Sequence, residues 1–243
     1  MSEPKEKLIV ALDVSTRAEA LGLCDQLRGL VGAFKIGLQL FTAEGPQLVE
    51  DIVSRGHRVF LDLKFHDIPN TVASAAVEAS RLGVWMLNVH AVGGREMMER
   101  TVESVREDCS KRGSVAPLLI GVSVLTSSDE SNLKEIGVES SVASQVERLV
   151  RLAIASGMDG IVSSANEVKR IKTLDSSGRF VTVTPGIRPA EATFDDQKRV
   201  TTPRQAIEFG SDFIVVGRPI TKASDPAAVA IGIVDEIKSG QCV

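Results

Sequence analysis

The residues with the most chemical content lie in one run, Asp62-Leu63-Lys64-Phe65-His66-Asp67-Ile68-Pro69-Asn70-Thr71. It gathers two carboxylates and an ammonium group. On an extended strand side chains alternate, so Asp62 and Lys64 are expected on one face, with Leu61 and Leu63 on the other. Asp67 falls just past the strand, in a turn that Pro69 helps convert into a helix start. Asp13 and Lys35, near the ends of two earlier β-rich runs, are expected to join the same ring. Buried charges without partners cost about several kcal/mol, so these groups must form an alternating network. At about 4 Å each pair contributes up to roughly 4 kcal/mol at an effective dielectric of about 20. A lysine flanked by carboxylates keeps its proton. It can then donate that proton or stabilise an anion. The same residue pattern also fits a purely structural salt-bridge network, since such networks perturb titration too.

A second constellation pairs Pro185-Gly186-Ile187-Arg188 with Gly217-Arg218-Pro219-Ile220. Glycines let backbone N–H groups approach an anion, and an arginine adds a bidentate contact. Either turn alone fits an ordinary structural loop. Two such turns, each with an arginine, favour a phosphate monoester as ligand.

The elements that must position these groups alternate between strand and helix. β-rich runs occur at 8–13, 33–37, 58–64, 85–90, 118–125, 160–163, 180–184 and 212–217. Several are almost continuously apolar, as strands covered on both faces should be. Helical periodicity predicts helices over 16–28, 71–81, 95–111, 142–155 and 226–238, with shorter ones over 166–174 and 203–209. This alternation gives a parallel sheet. At this length a closed (β/α)₈ TIM barrel is the economical solution, with an open doubly wound sheet as the rival. The polar residues named above follow the strand runs, which in a barrel is the catalytic mouth. No linker, charge block or low-complexity tract interrupts the chain, so residues 1–243 read as one domain.

Composition narrows the partners. Lys and Arg number 28 against 32 Asp and Glu, a balance that points to neither nucleic acid nor an anionic membrane. Cys24, Cys109 and Cys242 form no CxxC pair, and with only three histidines a zinc site has little to draw on. Three free thiols suit a reducing, cytoplasmic setting. The N-terminus has no signal-peptide layout, and no apolar run approaches the roughly 20 residues of a membrane span.

The chain closely resembles orotidine 5′-phosphate decarboxylase of the bacterial type. The resemblance runs from LIVALD through FKIG, DLKFHDIPNT, NVHAVGG and SVLTS to VTPGIRP and FIVVGRPIT. It implies a (β/α)₈ barrel that decarboxylates orotidine 5′-monophosphate to uridine 5′-monophosphate in de novo pyrimidine biosynthesis, without metal or organic cofactor. It also implies a homodimer with shared active sites. In this correspondence Lys64 is the proton donor, Asp62 faces the substrate's carboxylate, and Lys35 partners that network. Asp67, Ile68 and Thr71 serve the neighbouring subunit's site. Asp13 contacts the ribose, and Thr126 and Ser127 lie near the pyrimidine. Pro185, Arg188, Gln197, Gly217 and Arg218 form the nucleotide-closing loop and phosphate grip. At Ser163-Ser164 some relatives carry a cysteine, a difference not expected to matter.

Other residues are given plainer roles. His66 is expected at an interface or in support, His90 in polar contact with neighbouring loops, and His57 in solvent. Residues 126–139 read as a polar loop that covers the pyrimidine, and 189–199 as a lid. Two rival functions remain. Magnesium-dependent decarboxylases and lyases acting on sugar phosphates share an Asp-x-Lys-x-x-Asp pattern, but they place an acidic residue where this chain has Lys35. A non-catalytic phosphate-binding barrel would gain little from paired lysines and aspartates at its centre.

Overall fold

The computed structural model describes residues 3–189 and 201–241. Eight strands pair in sequence order, all parallel, and β1 pairs β8 to close the barrel. They are β1 (Leu8–Ala11), β2 (Ala33–Gly37), β3 (Val59–Phe65), β4 (Met86–His90), β5 (Leu118–Val122), β6 (Gly160–Val162), β7 (Val181–Thr184) and β8 (Phe213–Val216). All eight predicted strands are present. Most are shorter, with ends such as Asp13 and Leu125 belonging to the loops of the mouth.

Around the barrel lie α1 (Arg17–Gln26), α2 (Leu38–Glu44), α3 (Pro46–Ser54), α4 (Pro69–Arg81), α5 (Arg95–Arg112), α6 (Glu130–Glu135), α7 (Val142–Ala155), α8 (Ala165–Leu174), α9 (Pro203–Glu208), α10 (Arg218–Thr221) and α11 (Pro226–Gly240). Local chemistry sets several boundaries. Thr16 and Glu19 make a reciprocal capping box on α1, and Pro69 opens α4, where its missing N–H is not needed. Gly45, at φ 70°, separates α2 from α3 and is followed by Pro46 at the start of α3. The sequence reading assigns no element to these two helices. It also takes residues 126–139 as loop throughout, whereas α6 forms there behind the capping residue Asp129.

Strand alternation divides the core into two shells. Ile9, Ala11, Ala33, Phe60, Met86, Ile120, Val183 and Val215 fill the barrel interior. Residues such as Val10, Phe34, Leu61, Leu87, Val89 and Ile161 point outward and pack beneath the helices. Burying a side chain of Leu61's size stabilises the fold by roughly 2 kcal/mol. His57 belongs with this packing rather than with solvent: its ring meets Phe34 edge-on at 5.1 Å and its Nε2 is buried.

Candidate active site

The C-terminal strand ends converge on a cavity of about 200 Å³. Lys35, Asp62, Lys64, Thr126, Ser127 and Pro185 all line it. Apolar side chains fill much of the remaining wall, including Phe60, Val122, Val162, Val183 and Val215. The cavity is therefore charged on the side of β2 and β3, and lined by uncharged side chains, apolar ones and the hydroxyls of Thr126, Ser127 and Ser163, on the opposite side.

The charged groups form one alternating chain. Lys64 Nζ lies 2.6 Å from Asp62 Oδ1, and Lys35 Nζ lies 3.4 Å from Asp62 Oδ2 and 3.5 Å from Asp13 Oδ1. Burial by itself would push the Asp62 carboxyl up. The charges of Lys35 and Lys64, with hydrogen bonds from Lys64 and Asn88, outweigh it and hold Asp62 below the ordinary carboxylate range. Asp62 is thus a buried carboxylate kept ionised by its neighbours.

Lys64 and Asp62 do not meet by simple alternation. Leu61 pairs with Leu87, but the next pair is Phe65 with Val89, so β3 bulges between them. Lys64 takes φ 52°, and among the described residues no other non-glycine has positive φ. This is a sparsely populated backbone region of the kind that clusters at functional sites. The bulge turns Lys64 back onto Asp62.

Asp67, Ile68 and Thr71 are exposed. Asp67 accepts a hydrogen bond from the Ile68 N–H at 2.6 Å and forms no ion pair among the described residues. The expectation of a lysine flanked by two carboxylates is therefore met by Asp62 alone within one chain. His66 and His90 lie side by side, ring centroids 5.7 Å apart, beyond Lys64. Burial, then the charges of His66 and Lys64, lower the His90 pKa below 6.5, against an opposing pull from Asp62.

The two glycine turns sit at adjacent strand ends. Gly186 takes φ 77°, a conformation suited to glycine, and the Arg188 N–H donates to the Thr201 carbonyl at 3.2 Å. At Gly217 a Cβ would stand 2.9 Å from Asp13 Oδ2, so glycine lets the end of β8 close on the end of β1. Arg218 is exposed at the start of the one-turn helix α10. In barrels of this kind the loops after the seventh and eighth strands, with a short extra helix, commonly form the phosphate site. Gln197, and most of the lid expected over 189–199, lie outside the described residues.

Sequence reasoning gave two residues of the site no role. Asn88 is fully buried, donates through Nδ2 to Asp62 Oδ1 at 2.7 Å, and accepts the Lys64 N–H through Oδ1 at 2.8 Å. Its signal was an amide in the middle of the apolar run MLNVH. Ser163 lines the cavity, and its Oγ is buried without a hydrogen-bond partner among the described residues.

A second hollow, of about 230 Å³, opens at the other end of the barrel beside Lys5, Arg28, His57 and Arg58. Its cations are already paired, with Glu3, Asp25 and Glu6 respectively for Lys5, Arg28 and Arg58. Chemistry in this fold sits at the C-terminal mouth, so the smaller cavity is the candidate site. Among the described residues no group of three or more His, Cys, Asp or Glu side chains is arranged to hold a metal ion. Lys35 Nζ itself occupies the position between Asp62 and Asp13.

Comparison with known proteins agrees with this fold. The family model described as orotidine 5′-phosphate decarboxylase / HUMPS matches residues 6–233. An orotidine 5′-phosphate decarboxylase of Syntrophotalea carbinolica is 53% identical over 236 residues, covering 97% of this chain and 96% of the relative. The enzyme of that name from Legionella pneumophila strain Paris is 50% identical over 231 residues, covering 95% and 99%. The crystal structure of orotidine 5′-phosphate decarboxylase from Lactobacillus acidophilus superposes with a TM-score of 0.83 at 37% identity, covering 95% of this chain and 98% of that one. The chain belongs to the orotidine 5′-phosphate decarboxylase / HUMPS family.

Proposed function

We propose that the barrel mouth converts orotidine 5′-monophosphate to uridine 5′-monophosphate, a step of de novo pyrimidine biosynthesis, with Lys64 as proton donor. The observation that carries this reading is the alternating chain Lys64–Asp62–Lys35–Asp13 at the edge of a half-apolar cavity. When the bond to the carboxylate breaks, CO₂ leaves and the electron pair stays on the ring carbon. That carbon has little delocalisation to stabilise it. The Lys64 ammonium stabilises the developing charge, then its N–H bond breaks and the proton forms the new C–H bond. Lys64 regains a proton from solvent. Such an interaction strengthens toward the transition state, as rate acceleration requires.

The remaining residues bind and orient. Asp62 faces the departing carboxylate, Lys35 holds Asp62 and Asp13, and Asp13 reaches the ribose. Thr126 and Ser127 flank the pyrimidine. Pro185, Arg188, Gln197, Gly217 and Arg218 hold the phosphate, so binding energy far from the reacting bond fixes the ring in place.

The site is completed by a second copy of the chain. Ile68 is 67% exposed and, with Leu38 and Val92, presents apolar surface just past the ends of β2, β3 and β4, beside the exposed Asp67 and Thr71. Such a patch favours an interface. Across it, Asp67, Ile68 and Thr71 would enter the neighbouring site and give Lys64 its second carboxylate. One domain spans residues 1–243, and the buried free thiols Cys24 and Cys109 suit the cytoplasm.

Lys35 also separates this reading from a magnesium-dependent sugar-phosphate enzyme, because an ammonium group repels a divalent cation. The test is loss of orotidine 5′-monophosphate absorbance with purified protein, with and without EDTA. Equal turnover in both supports the reading. Turnover abolished by EDTA and restored by magnesium, or no turnover of this substrate, would overturn it.

A further inference from the structure

Among the described residues, Asn88 is the neutral side chain that touches both Asp62 and the bulge carrying Lys64. It points into the barrel from β4, between Met86 and His90, and is 0% exposed. The bulge sets Asp62, Leu63 and Lys64 against this one residue of β4. The Lys64 amide has turned away from regular ladder pairing and donates to Asn88 Oδ1 at 2.8 Å. The Asn88 amide nitrogen donates to Asp62 Oδ1 at 2.7 Å, the oxygen that also receives Lys64 Nζ at 2.6 Å. One side chain therefore fixes the lysine at its backbone and the carboxylate that aims its ammonium group. Asn88 does not line the cavity, so it acts through these neighbours rather than on substrate.

We propose that Asn88 is a positioning residue for decarboxylation: its amide locks the left-handed Lys64 backbone and the Asp62 carboxylate into the geometry that delivers the proton. The proposal rests on Lys64 being the proton donor. It requires both ends of the amide, the acceptor for Lys64 N–H and the donor to Asp62 Oδ1. A leucine has the volume but neither function. An ionised aspartate accepts the N–H but repels Asp62. A protonated aspartate restores both functions.

The test compares kcat, KM and uridine 5′-monophosphate affinity for Asn88→Leu, Asn88→Asp and Lys64→Ala. Displacing such a supporting contact typically lowers activity about 10- to 100-fold. Asn88→Leu is expected to lose that much in kcat, with KM and product affinity changed less than about threefold, because the phosphate grip is elsewhere. Asn88→Asp is expected to be impaired at neutral pH and to recover relative to wild type as pH falls and the two carboxyls share a proton. If Asn88→Leu does not fold, Asn88→Asp decides. Wild-type kcat in Asn88→Leu, a loss confined to KM, or an Asn88→Asp profile parallel to wild type would overturn the proposal. An active Lys64→Ala would sink the donor reading and this proposal together. An inactive Lys64→Ala beside a fully active Asn88→Leu would sink this proposal alone.

Discussion

Lys35→Met removes the central cation of the network while nearly keeping side-chain length. Lys35 Nζ lies 3.4 Å from Asp62 Oδ2, which at an effective dielectric of about 20 corresponds to about 5 kcal/mol of attraction. The contact with Asp13 at 3.5 Å adds at most about 1 kcal/mol, because the Asp13 side chain is 53% exposed. Desolvation of the ammonium opposes these gains by several kcal/mol. Asp62 also keeps Lys64 and Asn88 as partners, so it does not become an orphaned buried charge. The net cost of the substitution is then about 2–3 kcal/mol. For a 243-residue chain this lowers Tm by roughly 5–10 °C. Burial, no longer opposed by Lys35, pushes the Asp62 carboxyl up, so the acid limb of kcat moves to higher pH. Thermal unfolding followed by circular dichroism and a kcat–pH profile measure both effects. An unchanged Tm with an unchanged acid limb would show that Lys35 is not coupled to Asp62. A higher Tm would show that desolvation outweighs attraction, and would refute a net stabilisation by Lys35.

Arg218→Ala should weaken uridine 5′-monophosphate binding by about 10- to 150-fold, the equivalent of about 1.5–3 kcal/mol, while uridine affinity barely moves. Titration of both ligands checks this, and equal losses would remove Arg218 from phosphate recognition. Mixing inactive Lys64→Ala with inactive Asp67→Ala protein should restore turnover, since one site of each heterodimer then has both residues intact. Verified subunit exchange without activity would end the shared-site reading. Stability should fall as pH drops below about 6.5. His90 and His57 both have folded pKa values below 6.5, each chiefly through burial, so the unfolded chain takes up these protons first and the folded state loses ground until pH passes the folded values. Asp62, whose folded pKa is also lowered, contributes stability above the ordinary carboxylate range that is lost only at lower pH. Urea unfolding followed by Trp85 fluorescence, clean in a chain with one Trp and no Tyr, should show His90→Asn flattening the first of these limbs. An identical slope in the variant would remove His90 as a cause.

Much of this was legible in the sequence because the signals were local. β-rich runs, several of them almost continuously apolar, marked all eight strands, and the polar residues near their ends marked the mouth. Lys35, Asp62, Lys64, Thr126, Ser127 and Pro185 share one cavity because successive strands of a closed barrel deliver their ends to one rim. What escaped depended on departures from local rules. Alternation placed Lys64 beside Asp62 for the wrong reason, since the bulge of β3 and the left-handed Lys64 backbone bring them together. Asn88 carries no charge, and its part depends on what faces it across that bulge. The Gly45-Pro46 break hid α2 and α3 inside a segment with no single periodicity. Asp67 lies close to Lys64 in sequence, yet the turn before α4 sends it outward, where it is exposed and forms no ion pair among the described residues.

The most direct test is single-turnover decarboxylation by Lys64→Ala, with circular dichroism and uridine 5′-monophosphate binding measured on the same preparation. A lost proton donor and carbanion stabiliser should cost at least about 10³-fold in rate. The fold should persist, and product affinity should stay within about tenfold, as the proposed phosphate grip at the ends of β7 and β8 requires. A folded variant that decarboxylates at near wild-type rate would contradict the assignment of Lys64. An unfolded one would make the charged chain a structural network instead.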